Sequence, residues 1–317
     1  MALDSHVKAL LDQMAALKAP KLWELGPQAA RAAMRMSIFR QNNTPIGKIE
    51  NRTIEGPGGA LNLRIYTPIV TSSSVLSGLV FFHGGGFVLG DLESHDDLCR
   101  VLTNESGCRV VSVDYRLAPE HPFPAAVDDA LAATKWVASN AAPLGIDPNR
   151  LAVGGDSAGG NLAAVVAQLA RAGGPPLAFQ LLIYPVTQLG APDTVSMREN
   201  AKGYFLEKDG MDWFTRLYAP DKDHRHDPRL SPLRCKDLAA LPPAYVVTAG
   251  FDPLRDEGRD YADALDKAGV PVTHVNYPGM VHGFFSMRGF IPKAREAIAA
   301  AAAALREGVN PESVSPG

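Results

Sequence analysis

One serine of the chain lies in a pattern that supports nucleophilic chemistry. Ser157 is the centre of Gly155-Asp-Ser-Ala-Gly159, which follows the apolar run Leu151-Ala-Val153 and precedes a helical pattern over 161–170. A buried strand that turns sharply into a helix predicts a nucleophile elbow, in which a strained turn lifts the serine hydroxyl out of the sheet. The flanking glycines avoid a collision between a Cβ and the neighbouring strand or helix. The alternative for this pattern alone is a glycine-rich turn with a solvated serine.

A serine nucleophile needs a histidine that takes its proton and a carboxylate that holds that histidine. In one known chain order the acid follows the serine and the histidine comes last. His282 follows the last predicted strand, 270–277, in a loop at the carboxyl end of that strand. His274 lies inside the strand, and His224 and His226 lie in a charged stretch that is typical of a solvated loop. The sequence therefore favours His282 as the base.

The acid that this order requires is Asp252, which lies just after the predicted strand 244–248. Pro253 is typical of a helix start, which would make Asp252 the N-cap of that helix. A triad acid can also fill that position. We interpret Asp256 and Glu257 as first-turn acids that complement the helix dipole.

A second set of backbone donors is expected in the motif His-Gly-Gly-Gly at residues 83–86, directly after the predicted strand 75–82. Glycines allow the backbone to approach a substrate carbonyl without side-chain collisions. We expect the N–H groups of Gly85 and Gly86 to join that of Ala158, at the start of the elbow helix, in an oxyanion hole. The alternative is a merely flexible glycine loop. Neither glycine-rich stretch has the spacing of a phosphate-binding loop.

The remaining pattern is an alternation of strands and helices, which predicts a mainly parallel sheet covered on both faces. Residues 186–222 interrupt this alternation with charged and aromatic residues and read as a helical insertion. The other predicted strands are 46–54, 61–67, 108–115 and 177–184, and the predicted helices are 3–18, 26–40, 125–140, 256–268 and 290–307.

Composition excludes several classes of protein. The 317 residues carry a formal net charge of −3, which gives no basic field for nucleic acid or acidic lipid. The three cysteines are odd in number and widely spaced, so a disulfide framework or zinc site is not expected. No run approaches the ~18 apolar residues of a membrane span, and charges interrupt the N-terminal segment, so we expect a cytoplasmic protein.

Five motifs in one order make the resemblance to a known family specific. They are His83-Gly-Gly-Gly-Phe87, Asp114–Ala126, Gly155-Asp-Ser-Ala-Gly159, Asp252-Pro-Leu254 and His282-Gly-Phe284. From about residue 40 to the end, the chain resembles the hormone-sensitive-lipase family, whose bacterial members are called family IV esterases. No catalytic position departs from the family pattern, and the resemblance implies Ser157, Asp252 and His282 as the triad.

The resemblance also implies an architecture, an α/β-hydrolase fold with a sheet of about eight strands and a helical cap. The cap would consist of residues 1–45 and the insertion 186–222. The catalytic domain would consist of residues 46–185 and 223–317. A homodimer through the edge strand near 270–277 is a further implication of the resemblance.

The segment Asp114–Ala126 is a structural signature of the family by resemblance. Its three prolines and an ion pair between Arg116 and Glu120 predict a rigid loop. The residues themselves indicate no catalytic task for it.

The function that the resemblance implies is hydrolysis of short- to medium-chain carboxylic esters through an acyl-enzyme, without metal or cofactor. We assign Phe87, Tyr204, Phe205 and Leu206 to the substrate pocket. A lipase or an amidase that uses the same triad is an alternative. A second alternative is a non-catalytic small-molecule-binding protein, since receptors and dehydratases also occur on this fold, although a pure binding protein is expected to lose a triad residue.

Overall fold

The computed structural model describes residues 2–36, 44–71, 73–190 and 194–310, apart from the side chain of Arg225. Within these residues eight strands form one sheet in the spatial order β1-β2-β4-β3-β5-β6-β7-β8. The first two strand pairs along this order are antiparallel and the other five are parallel, so the predicted mainly parallel sheet is confirmed. The strands are β1 (Lys48–Gly56), β2 (Gly59–Thr67), β3 (Leu76–Phe82), β4 (Arg109–Asp114), β5 (Ile146–Asp156), β6 (Phe179–Ile183), β7 (Ala244–Phe251) and β8 (Val272–Val281).

Helices cover both faces of the sheet. The buried apolar residues of α5, α6 and α9 pack on one face, and those of α1, α4 and α10 pack on the other. No helix in the described part of the chain is long and apolar enough to cross a lipid bilayer. The helices are α1 (Ser5–Ala16), α2 (Leu22–Leu25), α3 (Pro27–Arg35), α4 (Asp96–Ser106), α5 (Ala125–Ser139), α6 (Ala158–Arg171), α7 (Val195–Glu199), α8 (Lys208–Tyr218), α9 (Arg255–Lys267) and α10 (Pro292–Gly308).

Strand β3 shows why the central strands read as continuous apolar runs. All seven of its residues are buried, because helices lie on both sides of it. Val80 and Phe82 belong to the apolar cluster on one face, while Leu79 and Phe81 belong to the cluster on the other. Because β3 to β8 are parallel, they end at the same edge of the sheet. The glycine motif, the elbow and the loops after β7 and β8 meet at this edge.

Two helical predictions need correction. Sequence patterns gave no helix between β3 and β4, but α4 lies there and connects these parallel neighbours. A parallel pair requires such a crossover. The helix predicted over 26–40 begins at Pro27 and is described to Arg35, and residues 37–40 of the prediction lie outside the described residues.

The rigid loop after β4 is held by pairs other than the predicted one. Arg116 does not pair with Glu120. Its guanidinium binds both carboxylate oxygens of Asp129 across 2.8 Å, whereas Glu120 pairs with Arg31 in the N-terminal region across 2.7 Å. Asp129 lies one helical turn inside α5, so the loop is fastened to the helix that follows it and to α3.

The insertion between β6 and β7 contains α7 and α8, as its lack of strand pattern predicted. It is packed against α2. Lys21 Nζ donates to Glu207 Oε1 across 2.8 Å, and the ring of Trp23 lies so close to Gly210 that a Cβ there would collide with it. Helix α2 and the insertion therefore pack against each other, whereas α1 lies on the other face of the sheet with α4 and α10.

Candidate active site

Ser157 lies at a strained turn between β5 and α6. Its φ of 57° and ψ of −116° are a conformation that L residues rarely adopt. Hydrogen bonds hold the turn, since the Ser157 N–H donates to the Ile183 carbonyl across 2.9 Å. A Cβ on Gly155 would collide with Gly159 and with the Phe82 carbonyl, and one on Gly159 would collide with Phe82. Glycine is thus required on both sides of the serine, for the reason that the sequence indicated.

His282 and Asp252 meet the serine at the carboxyl ends of β8 and β7. His282 Nε2 lies 2.9 Å from Ser157 Oγ, and His282 Nδ1 lies 2.7 Å from Asp252 Oδ2. Ser157 is partly buried, His282 is 6% exposed and Asp252 is fully buried. The three side chains form a continuous hydrogen-bonded row, in which the imidazole can accept the serine proton while the carboxylate faces its other nitrogen.

The acid is held by its own loop. The Leu254 N–H donates to Asp252 Oδ1 across 2.8 Å, which leaves Oδ2 for the histidine. Asp252 is not the N-cap of the next helix, because α9 begins at Arg255 and Leu254 takes that position. Pro253 and Leu254, which separate Asp252 from α9, form a tight turn, and the Asp252 carboxylate points at His282 instead of at the helix end.

The predicted oxyanion donors lie beside this row. Gly85 and Gly86 have φ values of +124° and +62°, which glycine adopts readily. Ala158 is the first residue of α6, where a helix leaves its N–H groups without intrahelical acceptors. Among the described residues, none of these three N–H groups meets a protein acceptor. They are available to a substrate oxygen.

The histidine of the glycine motif is built into the loop. His83 is fully buried, its ring is stacked on Tyr115 with centroids 4.3 Å apart, and its Nδ1 lies 2.8 Å from the Gly84 carbonyl oxygen. Burial lowers the pKa of His83 to about 4. A neutral imidazole that donates to Gly84 orders the loop.

The structure separates the four residues assigned to the substrate pocket. Phe205 is 36% exposed and its ring lies against Gly283, next to the triad histidine. Tyr204 packs on Phe251 with ring centroids 5.0 Å apart, and Leu206 packs partly buried against the core. Phe87 is 1% exposed and stacks on Tyr218 across 3.9 Å, so its burial argues against direct contact with a substrate.

Three residues at the site escaped the sequence analysis. The ring of Phe214 lies against Gly86, so close that a Cβ there would collide with it. Asp156 lies behind the glycine motif and accepts a hydrogen bond from the N–H of Gly84, and His95 Nε2 lies beside the same carboxylate. Phe214 belonged to a noted aromatic group, and Asp156 to the elbow motif, but His95 carried no sequence signal of a role.

Comparisons with known proteins agree with this geometry. A family model described as alpha/beta hydrolase fold matches residues 79–286. The esterase LipI of Mycobacterium tuberculosis is 46% identical over 284 residues, which cover 89% of this chain and 88% of that protein. The carboxylesterase NlhH of the same organism is 46% identical over 292 residues, 90% of each chain.

Solved structures match over nearly the whole chain. An ester hydrolase from the metagenome of Lake Arreo, in complex with a derivative of bipyridine phosphonate, has a TM-score of 0.93 at 46% identity and covers 96% of this chain and 98% of its own. A hyperthermophilic esterase of the archaeon Pyrobaculum calidifontis has a TM-score of 0.92 at 44% identity, with coverages of 97% and 99%. This chain therefore belongs to the α/β-hydrolase family, in the hormone-sensitive-lipase-like group that its motifs resemble.

Proposed function

We propose that this chain is a serine carboxylesterase that hydrolyses short- to medium-chain esters through an acyl-enzyme. The observation that carries the proposal is the hydrogen-bonded row from Ser157 Oγ through His282 to Asp252, with distances of 2.9 and 2.7 Å. Relatives that are named esterase or carboxylesterase, at 46% identity over about nine-tenths of the chain, support the same chemistry.

Acylation begins when His282 Nε2 takes the proton of Ser157 Oγ while that oxygen attacks the ester carbonyl carbon. The carbonyl π electrons move to the oxygen, and the N–H groups of Gly85, Gly86 and Ala158 stabilise the resulting oxyanion. Asp252 stabilises the imidazolium that forms. When the tetrahedral intermediate collapses, the C–O bond to the alcohol breaks and His282 gives its proton to the leaving oxygen.

Deacylation repeats these steps with water as the nucleophile. His282 takes a proton from a water molecule, whose oxygen attacks the acyl carbonyl, and the same N–H groups hold the second oxyanion. Collapse then breaks the bond to Ser157 Oγ, and His282 returns the proton to it. The products are the carboxylic acid and the free enzyme.

We place the substrate pocket under a cap made of residues 1–45 and 186–222, above a catalytic domain of residues 46–185 and 223–317. Residues 1, 37–43, 72, 191–193 and 311–317 of these ranges lie outside the described residues. The packing of α2 on the insertion supports the cap. Phe205 and Phe214 line the pocket in this proposal, because their rings reach Gly283 and Gly86.

The proposal is tested by hydrolysis of p-nitrophenyl esters from acetate to palmitate, with the wild type and Ser157→Ala side by side. We expect a maximum at short to medium acyl chains and a loss of kcat on the order of 10³-fold or more in the variant. Ser139→Ala, an exposed serine at the end of α5, is the matched control and should retain full activity.

The same experiment separates the alternatives. A maximum at long chains would make the enzyme a lipase, and equal turnover of matched anilides would make it an amidase.

A labelling experiment identifies the nucleophile. A p-nitrophenyl phosphonate should release one equivalent of p-nitrophenol and leave its phosphorus on the peptide that contains Ser157. Retained esterase activity in Ser157→Ala, or labelling elsewhere, would overturn the assignment. Homodimer formation through the edge near 270–277 and a cytoplasmic location stay predictions.

A further inference from the structure

One side chain connects the nucleophile strand to the glycine motif. Asp156, the residue before Ser157, is 4% exposed, and its Oδ1 accepts a hydrogen bond from the Gly84 N–H across 2.9 Å. The approach is so close that a Cβ on Gly84 would collide with the carboxylate. A bond between a carboxylate and a backbone N–H is charge-assisted and therefore stronger than a neutral one.

His95 holds this carboxylate from behind. It is 3% exposed, and its Nε2 lies 3.2 Å from Asp156 Oδ1 and 3.3 Å from Oδ2. Its Nδ1 lies 2.9 Å from Ser94 Oγ, and Ser94 in turn bonds to Asp91. Burial alone would raise the pKa of the Asp156 carboxyl, but the charge and hydrogen bond of His95 lower it. The carboxylate is thus kept ionised at the place where it binds Gly84.

This arrangement links the two halves of the chemistry. Asp156 is joined covalently to Ser157, and Gly84 is joined covalently to the pair of oxyanion donors that starts at Gly85. The Asp156–Gly84 bond therefore sets the distance between the attacking oxygen and the N–H groups that stabilise the charge produced by the attack. A substrate carbonyl gains from such donors mainly in the transition state.

We propose that Asp156 and His95 are positioning residues that fix the oxyanion loop against the nucleophile. The inference rests on the proposed esterase function and on the assignment of Gly85 and Gly86 as donors. Both side chains are buried behind the loop, so they act through Gly84 and not by contact with substrate. Their loss should lower kcat and leave KM nearly unchanged, because the interactions that bind the ground-state ester are untouched.

The experiment compares Asp156→Asn, Asp156→Ala, His95→Gln and His95→Phe on p-nitrophenyl butyrate, after thermal unfolding has shown that each variant is folded at the assay temperature. We expect Asp156→Ala to lower kcat 30- to 1,000-fold and Asp156→Asn less, because the amide oxygen still accepts from Gly84. His95→Phe should lower kcat about tenfold, and His95→Gln should restore part of this loss, since its amide can replace Nε2. KM should stay within about twofold throughout.

A second readout distinguishes positioning from general stability. A trifluoromethyl ketone adds to Ser157 and places an oxyanion in the hole, so its inhibition constant should rise in proportion to the loss of kcat/KM across the four variants. Asp128→Asn and His121→Gln, both exposed, are the matched controls and should change neither value. If Asp156→Ala does not fold, the His95 pair decides the question.

Three results would overturn the inference. They are a kcat within twofold of wild type in the folded Asp156→Ala or His95→Phe variant, a loss that appears in KM alone, and ketone inhibition that is unchanged while kcat falls. Failure of the proposed function is distinguishable, because the wild type itself would then turn over none of the esters.

Discussion

The side-chain amide of Asn200, in the insertion between β6 and β7, donates to the main-chain carbonyl of Asp252 across 3.3 Å. Nearby, Ser196 Oγ donates to the Pro253 carbonyl across 2.8 Å, and the Ser196 N–H donates to Asp256 Oδ2 across 2.7 Å. All these groups are buried. The first part of the insertion is therefore built onto the loop that carries the triad acid.

Asn200→Ala should destabilise the protein by about 1 kcal/mol and leave kcat within about threefold of wild type. The loss of stability is small because the Asp252 carbonyl still accepts from the Arg255 N–H across 3.1 Å. The kcat changes little because the hydrogen bonds of the Asp252 carboxylate are untouched. Asn200→Asp should cost more, since it brings a carboxylate oxygen to the carbonyl oxygen. Urea unfolding measures both, with the exposed Asn149→Ala as control. Equal stability of the Ala and Asp variants would contradict the hydrogen-bond assignment.

Glu257 fastens the insertion to α9 in a way that depends on pH. It is 2% exposed, and its Oε1 accepts from the backbone N–H groups of Thr187 and Gln188 across 2.7 and 3.2 Å. Burial raises the pKa of Glu257 to about 8, against the opposing effect of these two hydrogen bonds. The first-turn position predicted for this acid is confirmed, but its carboxyl binds the backbone of the insertion.

Because the folded-state pKa of Glu257 lies above its unfolded value, the folded protein holds this proton more tightly. Its contribution to stability is complete below about pH 4.5 and is lost as pH rises through about 8. Glu257→Gln keeps the acceptor oxygen without the ionisation. We expect the variant to gain at least about 1 kcal/mol in unfolding free energy relative to wild type between pH 5 and pH 9. Urea unfolding at pH 5, 7 and 9 measures the gain. A difference that is constant with pH would refute it, and the exposed Glu55→Gln is the control.

Phe205 and Phe214 approach the site from different sides. The ring of Phe205 lies beside Gly283, next to the histidine that protonates the leaving alcohol in the proposed mechanism, whereas the ring of Phe214 lies against Gly86. A hydrophobic pocket typically discriminates by about 10–200-fold between substrates that differ by one methylene, so the loss of one of its walls should weaken such discrimination. Phe205→Ala should therefore change the ratios of kcat/KM among acetates of different alcohols by about tenfold. The ratios among esters of different acyl chains should stay within about twofold of wild type.

The matched counterpart is Phe214→Ala, assayed on the same two ester series. Initial rates with ethyl, benzyl and p-nitrophenyl acetates, and with p-nitrophenyl esters of two to eight carbons, give both preferences. The assignment of Phe205 to the alcohol side fails if its replacement changes acyl preference alone, or if the two variants behave alike.

The residues that could be predicted from sequence are those whose role is local. Ser157 lies in a motif whose neighbouring residues indicate a strand, a turn and a helix. Asp252 and His282 each follow a predicted strand, and the structure contains both strands as β7 and β8. In a parallel sheet the carboxyl ends of strands meet at one edge, so chain order and strand ends were enough to place the triad row together.

Contacts between distant segments had no such signal. Asp156 meets Gly84 and His95 across 72 and 61 positions, and the register of β3 against β5 decides that meeting. The burial of Phe87, which was assigned to the pocket, likewise had no local signal. A φ of +62° instead turns its ring into the core against Tyr218.

Gly86 offers a test of the oxyanion loop that involves two residues. Its φ of +62° disfavours any side chain, and a Cβ there would collide with the Phe214 ring. Gly86→Ala should lower kcat/KM on the order of 100-fold or more, because the loop must shift away from the ring and its N–H then misses the oxyanion. Adding Phe214→Ala removes the collision but not the strain of the positive φ. We expect Phe214→Ala to raise kcat/KM by about tenfold more in the Gly86→Ala background than in the wild type, a coupling of about 1.4 kcal/mol in a double-mutant cycle. Additive effects of the two substitutions would show that the Phe214 ring does not hold Gly86 in place.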